Sequence, residues 1–288
     1  MKNKEEILRY FPNMIYCLLK KEFDKEDVIK KLEEIRLHSN RPIILKFRNS
    51  DIVINYIVNQ CEILQILEKI CNNSIYAYKN QICNGFITVK GGHRVGITGT
   101  AVVENNNVIN IKNINSLNFR IAREIKGCSN KILSEIIDKK NSTIYNTLIV
   151  SPPGKGKTTI LRDTIRRISD GIEELDFKGK MCGVVDERGE IAAIYQGIPQ
   201  NDIGIRTDVI ENISKSKGIK MLLRSMAPEI IACDEIGSKE DIEAIEDAFL
   251  SGVKGIFTMH GRTIEEIKNN PEIDYLIETK QIEKIIFI

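Results

Sequence analysis

Four short apolar segments in the second half of the chain each end in a cluster of polar residues. The segments are NTLIV, MCGVV, EIIAC and GIFTM, and the clusters that follow them contain Lys157, Asp186, Asp234 and His260. Amphipathic helical patterns separate the segments, and this alternation predicts a parallel sheet with both faces covered. The carboxyl ends of parallel strands lie along one edge of a sheet, so one site can collect all four clusters.

The first part of the chain has a mixed α and β pattern. We predict strands at RPIILKF (41–47) and IVINYIV (52–58), and a strand or linker at NFRIAR (118–123). The run 85–102 alternates strand-like residues with glycines, which indicates a hairpin with a Gly-Gly turn. Two helical faces are expected, one with Val28, Ile29, Leu32 and Ile35, the other with Ile63, Leu67, Ile70 and Cys71.

A domain boundary is expected near Gly127. Ser129 is a candidate N-cap for the helix that follows it. We therefore predict an N-terminal α+β domain over residues 1–126 and an α/β domain over residues 127–288. The chain ends on EKIIFI, which we expect to be an unpaired edge strand with a risk of association.

The first polar cluster, SPPGKGKTT, resembles a phosphate-binding loop. The pattern G-x-x-x-x-G-K-[ST] requires glycine at the position that Ser151 occupies. A strand before the loop and a helix after it favour a working nucleotide site over a chance Gly-Lys-Thr turn. The predicted nucleotide-binding residues are Ser151, Pro152, Pro153, Gly154, Lys155, Gly156, Lys157, Thr158 and Thr159. Lys157 supplies the cation and Thr158 a ligand for Mg²⁺.

The third cluster supplies two carboxylates at the end of a buried strand. Asp234 is the predicted second metal ligand, and Glu235 is predicted to orient or deprotonate the attacking water. Taken alone, such a strand end is often only solvated. Its position after the phosphate loop favours a catalytic interpretation.

The second and fourth clusters are less specific. Asp186 and Glu187 are either catalytic carboxylates or a solvated strand end, and their spacing does not decide between the two. His260 ends a predicted strand where a sensor of the γ-phosphate belongs. Several arginines are candidates for stabilising charge in the transition state, and we take Arg206 as a catalytic candidate. The others are Arg94, Arg120, Arg123, Arg188 and Arg224.

Composition excludes several classes of protein. Lys and Arg number 42 against 40 Asp and Glu, so net charge does not argue for nucleic acid or an anionic membrane. Seven cysteines without a C-x-x-C pair favour reduced thiols. The charged N-terminus lacks the apolar core of a signal peptide, and no run is long enough to span a bilayer. We therefore expect an intracellular protein that does not insert into a membrane.

The order of the four clusters resembles that of the secretion-type traffic ATPases, the motors of type II and type IV secretion and of pili. The similarity to their stage III sporulation protein AA family is closer. It rests on EEIRLHSNRPIIL, GGHRVGITGTAV, SLNFRIAREIKG, VVDERGEIAA, QNDIGIRTDV and LLRSMAPEIIACDEIG, and covers about residues 33 to 262. Members of the family generally continue further, so the resemblance implies a short or trimmed C-terminus.

This resemblance implies a fold and a function. The fold is a RecA-like P-loop ATPase domain with a mostly parallel sheet, preceded by the smaller α+β domain. The function is hydrolysis of ATP with Mg²⁺ by a homo-oligomer, expected to be a hexamer with ATP between subunits. It also implies that Asp186 and Glu187 form an acidic box and His260 a histidine box. The expected partners are membrane-embedded sporulation channel proteins, and the expected location is the mother-cell cytoplasm, peripheral to the membrane.

Two other functions stay open. One is a nucleotide-binding scaffold or regulatory subunit with little turnover, which would use Lys157 and Thr158 but not Glu235. The other is a RecA-like nucleic-acid motor. No tryptophan occurs, only 6% of residues are aromatic, and no basic stretch is interleaved with aromatics. Because these are the groups that stack on bases, no nucleic-acid partner is expected.

Overall fold

The computed structural model describes residues 4–288. These residues form two compact units. The first unit extends to Arg123 and also contains Tyr195–Gln200, while the second contains Glu124–Ile194 and Asn201–Ile288. The sequence did not indicate that Tyr195–Gln200 belongs to the first unit, and the boundary after residue 126 stays a prediction.

The first unit contains an antiparallel sheet in the order β3-β2-β1-β6-β5-β4. Its helices are α1 Lys4–Leu8, α2 Asn13–Phe23, α3 Val28–Lys31, α4 Gln60–Ile70 and α5 Lys79–Cys83. Its strands are β1 Leu32–His38, β2 Arg41–Phe47, β3 Asp51–Val58, β4 Phe86–Val89, β5 His93–Glu104 and β6 Asn107–Arg120. The predicted strands at 41–47 and 52–58, the helix through Ile63 and the Gly-Gly hairpin are confirmed.

The predicted helix through Val28, Ile29, Leu32 and Ile35 is wrong beyond Lys31. Strand β1 begins at Leu32, and its pairing with β2 shifts register between Leu32 and Glu34. Such a bulge adds one residue to the strand. Leu32 and Ile35 are therefore both buried although they lie three positions apart. The bulge produces the spacing that otherwise indicates a helix.

The second unit contains the predicted parallel sheet, in the order β15-β12-β16-β17-β9-β18. All five neighbouring strand pairs of this sheet are parallel. Its helices are α6 Asn130–Ile136, α7 Lys157–Asp170, α8 Lys215–Ser225, α9 Lys239–Leu250, α10 Ile264–Lys268 and α11 Pro271–Glu278. Its strands in this sheet are β9 Thr147–Ser151, β12 Cys182–Asp186, β15 Thr207–Glu211, β16 Ile230–Cys233, β17 Lys254–His260 and β18 Lys284–Phe287.

Several short elements lie outside the two large sheets. They are β7 Ile137–Asp138, β8 Thr143–Ile144, β10 Gly171–Ile172, β11 Phe177–Lys178, β13 Ile194–Tyr195 and β14 Ile198–Pro199, with 3₁₀ turns at Ile75–Tyr78 and Glu173–Leu175. Ser129 occupies the N-cap position of α6, but its side chain does not cap the helix. Its hydroxyl donates instead to the Asp163 carboxylate, at 2.7 Å.

Helices cover both faces of the parallel sheet. Val184 and Ala232 belong to the apolar core that contains Leu161 of α7. The alternate residues Val185 and Ile231 belong to a second core, formed mainly with α8, α9 and α11. Burial on both faces explains why the strand sequences are continuously apolar.

The C-terminal strand β18 is not unpaired, contrary to expectation. It pairs in parallel with β9 through Lys284–Phe287 and forms one edge of the sheet. Among residues 4–288, no helix is both long enough and apolar enough to cross a bilayer.

Candidate functional site

A loop of five residues, 152–156, joins strand β9 to helix α7. Gly154 and Gly156 have φ angles of 73° and 90°, which favour glycine over any residue with a side chain. Ser151 ends β9 in register with His260 and has no positive φ. Its hydroxyl donates to the Pro152 carbonyl at 3.1 Å. Serine therefore replaces the expected glycine without backbone strain.

The side chain of Lys157 is buried beneath this loop. Its Nζ lies 3.2 Å from the Ser151 carbonyl oxygen, 3.4 Å from that of Pro152 and 2.8 Å from Nδ1 of His260. Burial lowers the pKa of Lys157, and the charges of Asp234 and Glu235 oppose this shift. An additional anion, such as a phosphate, would stabilise the charged lysine.

His260, the last residue of β17, connects Lys157 to Glu235. Its Nδ1 faces the lysine, and its Nε2 lies 2.8 Å from Oε1 of Glu235. A charged Lys157 donates to Nδ1, so the ring proton lies on Nε2 and points at the carboxylate. The structure thus brings together three of the residues predicted from sequence.

Asp234 follows strand β16 and lies between two threonine hydroxyls. Thr158, the second residue of α7, donates to Oδ2, and Thr258 of β17 donates to Oδ1. These oxygen atoms are the ligands that Mg²⁺ prefers. The described residues contain no group of three or more His, Cys, Asp or Glu side chains that could hold a metal. Mg²⁺ bound by Thr158 and Asp234 would therefore take its other ligands from phosphates and water.

Thr258 is a further residue of this site that the sequence did not predict. It is fully buried within an apolar strand, and besides its bond to Asp234 it accepts the backbone N–H of Glu235 at 2.9 Å. The only sequence signal is a hydroxyl two positions before His260, on the same side of the strand.

Glu235 has a left-handed backbone, with φ of 54°. Such a conformation costs a non-glycine residue on the order of 1–3 kcal/mol and is commonest at functional sites. Its Oε2 forms an ion pair with Arg188 at 2.6 Å, while Oε1 faces His260. Both oxygens of the proposed base therefore have partners in this structure, and Arg188 is the candidate arginine found beside it.

Asp186 ends strand β12, but its carboxylate closes the following loop. It accepts the backbone N–H groups of Glu190, Ile191 and Ala192 at 2.8, 3.0 and 2.8 Å. Burial raises its pKa, while these three hydrogen bonds lower it. Both oxygens are used in the loop, and no described contact gives Asp186 a catalytic role.

Glu187 and Arg206 each have a partner outside this group of residues. Glu187 pairs with Lys215, at the start of α8. Arg206 precedes β15, at the amino end of that strand, and its Nη1 lies 2.9 Å from the Ser169 carbonyl near the end of α7. Helix α7 has 14 residues, about 20 Å in length. Arg206 therefore lies far from the phosphate loop of its own chain.

Arg162 of α7 connects the phosphate-loop helix to the loop that Asp186 closes. Its Nε and Nη2 donate to the carbonyls of Ile191 and Glu190 at 2.7 and 2.6 Å. At the carboxyl end of the next strand, Glu211 lies in register with Asp186. Burial, and then the charge of Asp186, raises the pKa of Glu211 to about 7. Neither Arg162 nor Glu211 belongs to a motif that the sequence shows.

The parallel sheet and the loop between β9 and α7 define a P-loop protein of the RecA-like class. Two solved structures share this fold. The ATPase DotB of Legionella pneumophila has a TM-score of 0.60 at 16% identity, covering 94% of this chain and 74% of DotB. The pilus retraction motor PilT with bound ADP has a TM-score of 0.58 at 14% identity, covering 92% of this chain and 72% of PilT.

The chain belongs to the family described as sporulation stage III, protein AA, whose model matches residues 1–288. Stage III sporulation protein AA of Bacillus subtilis (strain 168) is 37% identical over 256 residues, which are 89% of this chain and 82% of that protein. The resemblance found in the sequence motifs is thereby confirmed. This is a sporulation stage III protein whose fold is similar to that of the ATPase DotB and of the pilus retraction motor PilT.

Proposed function

We propose that this protein is an oligomeric ATPase that couples ATP hydrolysis to assembly of, or transport through, a membrane-bound secretion-like channel during sporulation. One observation carries the proposal: Lys157, Thr158, Asp234, Glu235 and His260 form a connected group at the carboxyl edge of the parallel sheet. These side chains comprise a cation, two oxygen ligands for a metal, a base and a hydrogen-bonding relay, as phosphoryl transfer to water requires.

In this proposal the loop 151–159 holds the phosphates. Backbone N–H groups at the start of α7 face the phosphates, and Lys157 contacts the β and γ oxygens. Mg²⁺, held by Thr158 and Asp234, would supply positive charge to the phosphate oxygens. Glu235 orients the attacking water and accepts its proton. Because His260 hydrogen-bonds both Glu235 and Lys157, protonation of Glu235 would alter the hydrogen bond to Lys157.

The same proposal requires more than one chain. Arg206 lies far from its own phosphate loop, so any catalytic role for it would be at the site of a neighbouring subunit. A closed ring, which we propose to be a hexamer, would supply this arrangement. The proposed partners are membrane-embedded channel proteins, and the proposed location is the mother-cell cytoplasm.

A second candidate function is a nucleotide-binding scaffold with little turnover. The observation that favours it is the engagement of both Glu235 oxygens, one by His260 and one by Arg188. The Glu235 side chain is 26% exposed and still contacts solvent, but two of its acceptor positions are occupied, which would weaken its interaction with an attacking water. ATP binding and phosphate release must therefore be measured separately.

The test is a comparison of the wild-type protein with Glu235→Gln. We expect the variant to bind ATP about as tightly as the wild type. Its rate of phosphate release should be lower by a factor of at least roughly 100. Glu278→Gln is the matched control, because Glu278 is exposed on α11 and away from this site. Tight ATP binding by the wild type without phosphate release would favour the scaffold.

Oligomerisation is tested by native mass measurement with and without a non-hydrolysable ATP analogue. The proposal predicts an assembly of six chains when the analogue is bound. A strictly monomeric protein under both conditions would contradict the ring.

A further inference from the structure

The first unit contains a cavity of about 540 Å³ on one face of its antiparallel sheet. Two rows of paired residues form its wall. One row is Arg36, Asn118 and Gly96, and the other is His38, Ser116 and Thr98. Residues two apart in a strand lie on the same face, so the two rows present their side chains together.

Gly96 provides the space for this cavity. A Cβ built at Gly96 would find only atoms of Asn118 within 4 Å, at 3.8 Å. The adjacent wall is formed by Gly85, which also has no side chain. A volume of this size lies within the range of small-molecule sites in proteins.

The lining of the cavity is basic and rich in hydrogen-bonding groups. Arg36, His38 and Arg41 line it, together with hydroxyl and amide side chains, and no Asp or Glu among the described residues does. Arg36 forms an ion pair with Glu34 at 2.6 Å, whereas Arg41 forms none with the described residues. This composition differs from that of the whole chain, whose positive and negative residues nearly balance.

We propose that this cavity binds a small phosphate ester that also carries hydroxyl groups, such as a sugar phosphate. The guanidinium groups of Arg36 and Arg41 match the geometry of phosphate oxygens and bind them with charge-assisted hydrogen bonds. No lining residue belongs to the phosphate loop, so the site is separate from the proposed ATPase centre and does not depend on it.

Polar side chains beside the arginines support the hydroxyl part of this proposal. Thr98, Asn115 and Ser116 line the cavity with hydroxyl and amide groups. These groups both donate and accept hydrogen bonds, so they suit the hydroxyl groups of a sugar phosphate.

His38 provides a measurable signature of an anion in the cavity. Burial lowers its pKa, and the positive charges of Arg41 and Arg36 lower it further. Glu34 is the nearby carboxylate, and it is already paired with Arg36. An anion placed among these groups would favour protonated His38, so binding should take up protons from the buffer.

The test uses the full chain with Lys157→Ala, which removes the lysine of the phosphate loop. Titration calorimetry with ribose 5-phosphate as the probe should show saturable binding, and ribose should show none. Proton uptake is measured by repeating the titration in buffers of different ionisation enthalpy near pH 7. Addition of Arg41→Gln should weaken binding about tenfold or more, and His38→Gln should abolish proton uptake. Arg48→Gln, at an exposed turn outside the cavity, is the control and should change neither.

The ligand titration tests the cavity separately from the ATPase proposal. Absence of ribose 5-phosphate binding in the Lys157→Ala chain would overturn the cavity assignment and leave the ATPase proposal intact. Equal binding by Arg41→Gln and Arg48→Gln would also overturn it. Tighter binding of citrate than of ribose 5-phosphate would show that the site selects carboxylates instead of phosphate esters.

Discussion

Nδ1 of His260 lies 2.8 Å from Nζ of Lys157, and the other nitrogen of the same ring lies 2.8 Å from the Glu235 carboxylate. One imidazole therefore joins the residue proposed to bind phosphate to the residue proposed to activate water. A change in charge at one end alters the preferred proton position at the other. This relationship makes His260 a positioning residue for both.

Replacement of His260 by alanine should separate binding from turnover. Lys157 keeps its carbonyl partners, so we expect the KM for ATP to change less than about threefold. Glu235 loses the donor that orients it, so kcat should fall on the order of 100-fold. Steady-state ATP hydrolysis measures both quantities. An unchanged kcat would show that the ring does not position the base, and a pure rise in KM would assign His260 to binding alone.

Thr258 should support both the predicted metal ligand Asp234 and the proposed base Glu235. Thr258→Val keeps the shape of the side chain but removes the hydroxyl that contacts Asp234 and accepts the Glu235 N–H. We expect destabilisation of about 1–3 kcal/mol from the unpaired groups, and a higher Mg²⁺ concentration for half-maximal hydrolysis.

Thr258→Ser is the matched control because it retains the hydroxyl. The two variants are compared by chemical denaturation and by Mg²⁺ titration of ATP hydrolysis. If valine and serine behave alike in both measurements, the hydroxyl at this position does not support the site.

Much of this site was predictable because its residues follow apolar strands in sequence. The parallel order of the strands then places Lys157, Asp234, Glu235 and His260 along one edge. Thr258 was not predictable, since a single threonine inside an apolar strand carries no pattern. The role of Asp186 was not predictable either. It depends on where the N–H groups of residues 190–192 point, and the spacing of residues in the sequence does not specify this.

Some elements of the fold were also predictable from the sequence, and others were not. Strand β6 was predicted only at its C-terminal end, Asn118–Arg120, because its asparagine-rich sequence has low strand propensity. Its pairing with β5 and the turn at Asn105 and Asn106, both with positive φ, establish it in the structure. The bulge after Leu32 was likewise not predictable from the sequence, since its effect on burial follows from pairing with β2.

Asp163 should make stability depend on pH in the acidic range. Burial alone would raise its pKa, but hydrogen bonds from Ser129 and Arg166 outweigh burial and lower it to about 2. A lowered carboxyl pKa stabilises the fold above the unfolded-state pKa of about 4, and this contribution is lost as pH falls through about 2. The contribution at neutral pH is roughly 2 kcal/mol.

Denaturant unfolding of the wild type and of Asp163→Asn measures this contribution. At pH 6 the variant should be less stable by roughly 2 kcal/mol, and the difference should shrink as pH is lowered from about 4 towards 2. Glu278→Asn, at an exposed position, should show no such pH-dependent difference. A difference between wild type and Asp163→Asn that stays constant over this range would contradict the role of the Asp163 charge.

The most direct test of the central claim is ATP hydrolysis by purified Lys157→Ala. Lys157 is buried under the loop and contacts His260. Its replacement by alanine therefore removes the cation proposed to bind the phosphates and also the hydrogen bond to His260. The account predicts that the wild type releases phosphate from ATP, that Lys157→Ala loses this activity by at least about 100-fold, and that Lys140→Ala, at an exposed turn, retains it. Equal phosphate release by Lys157→Ala and the wild type would contradict the assignment of this site.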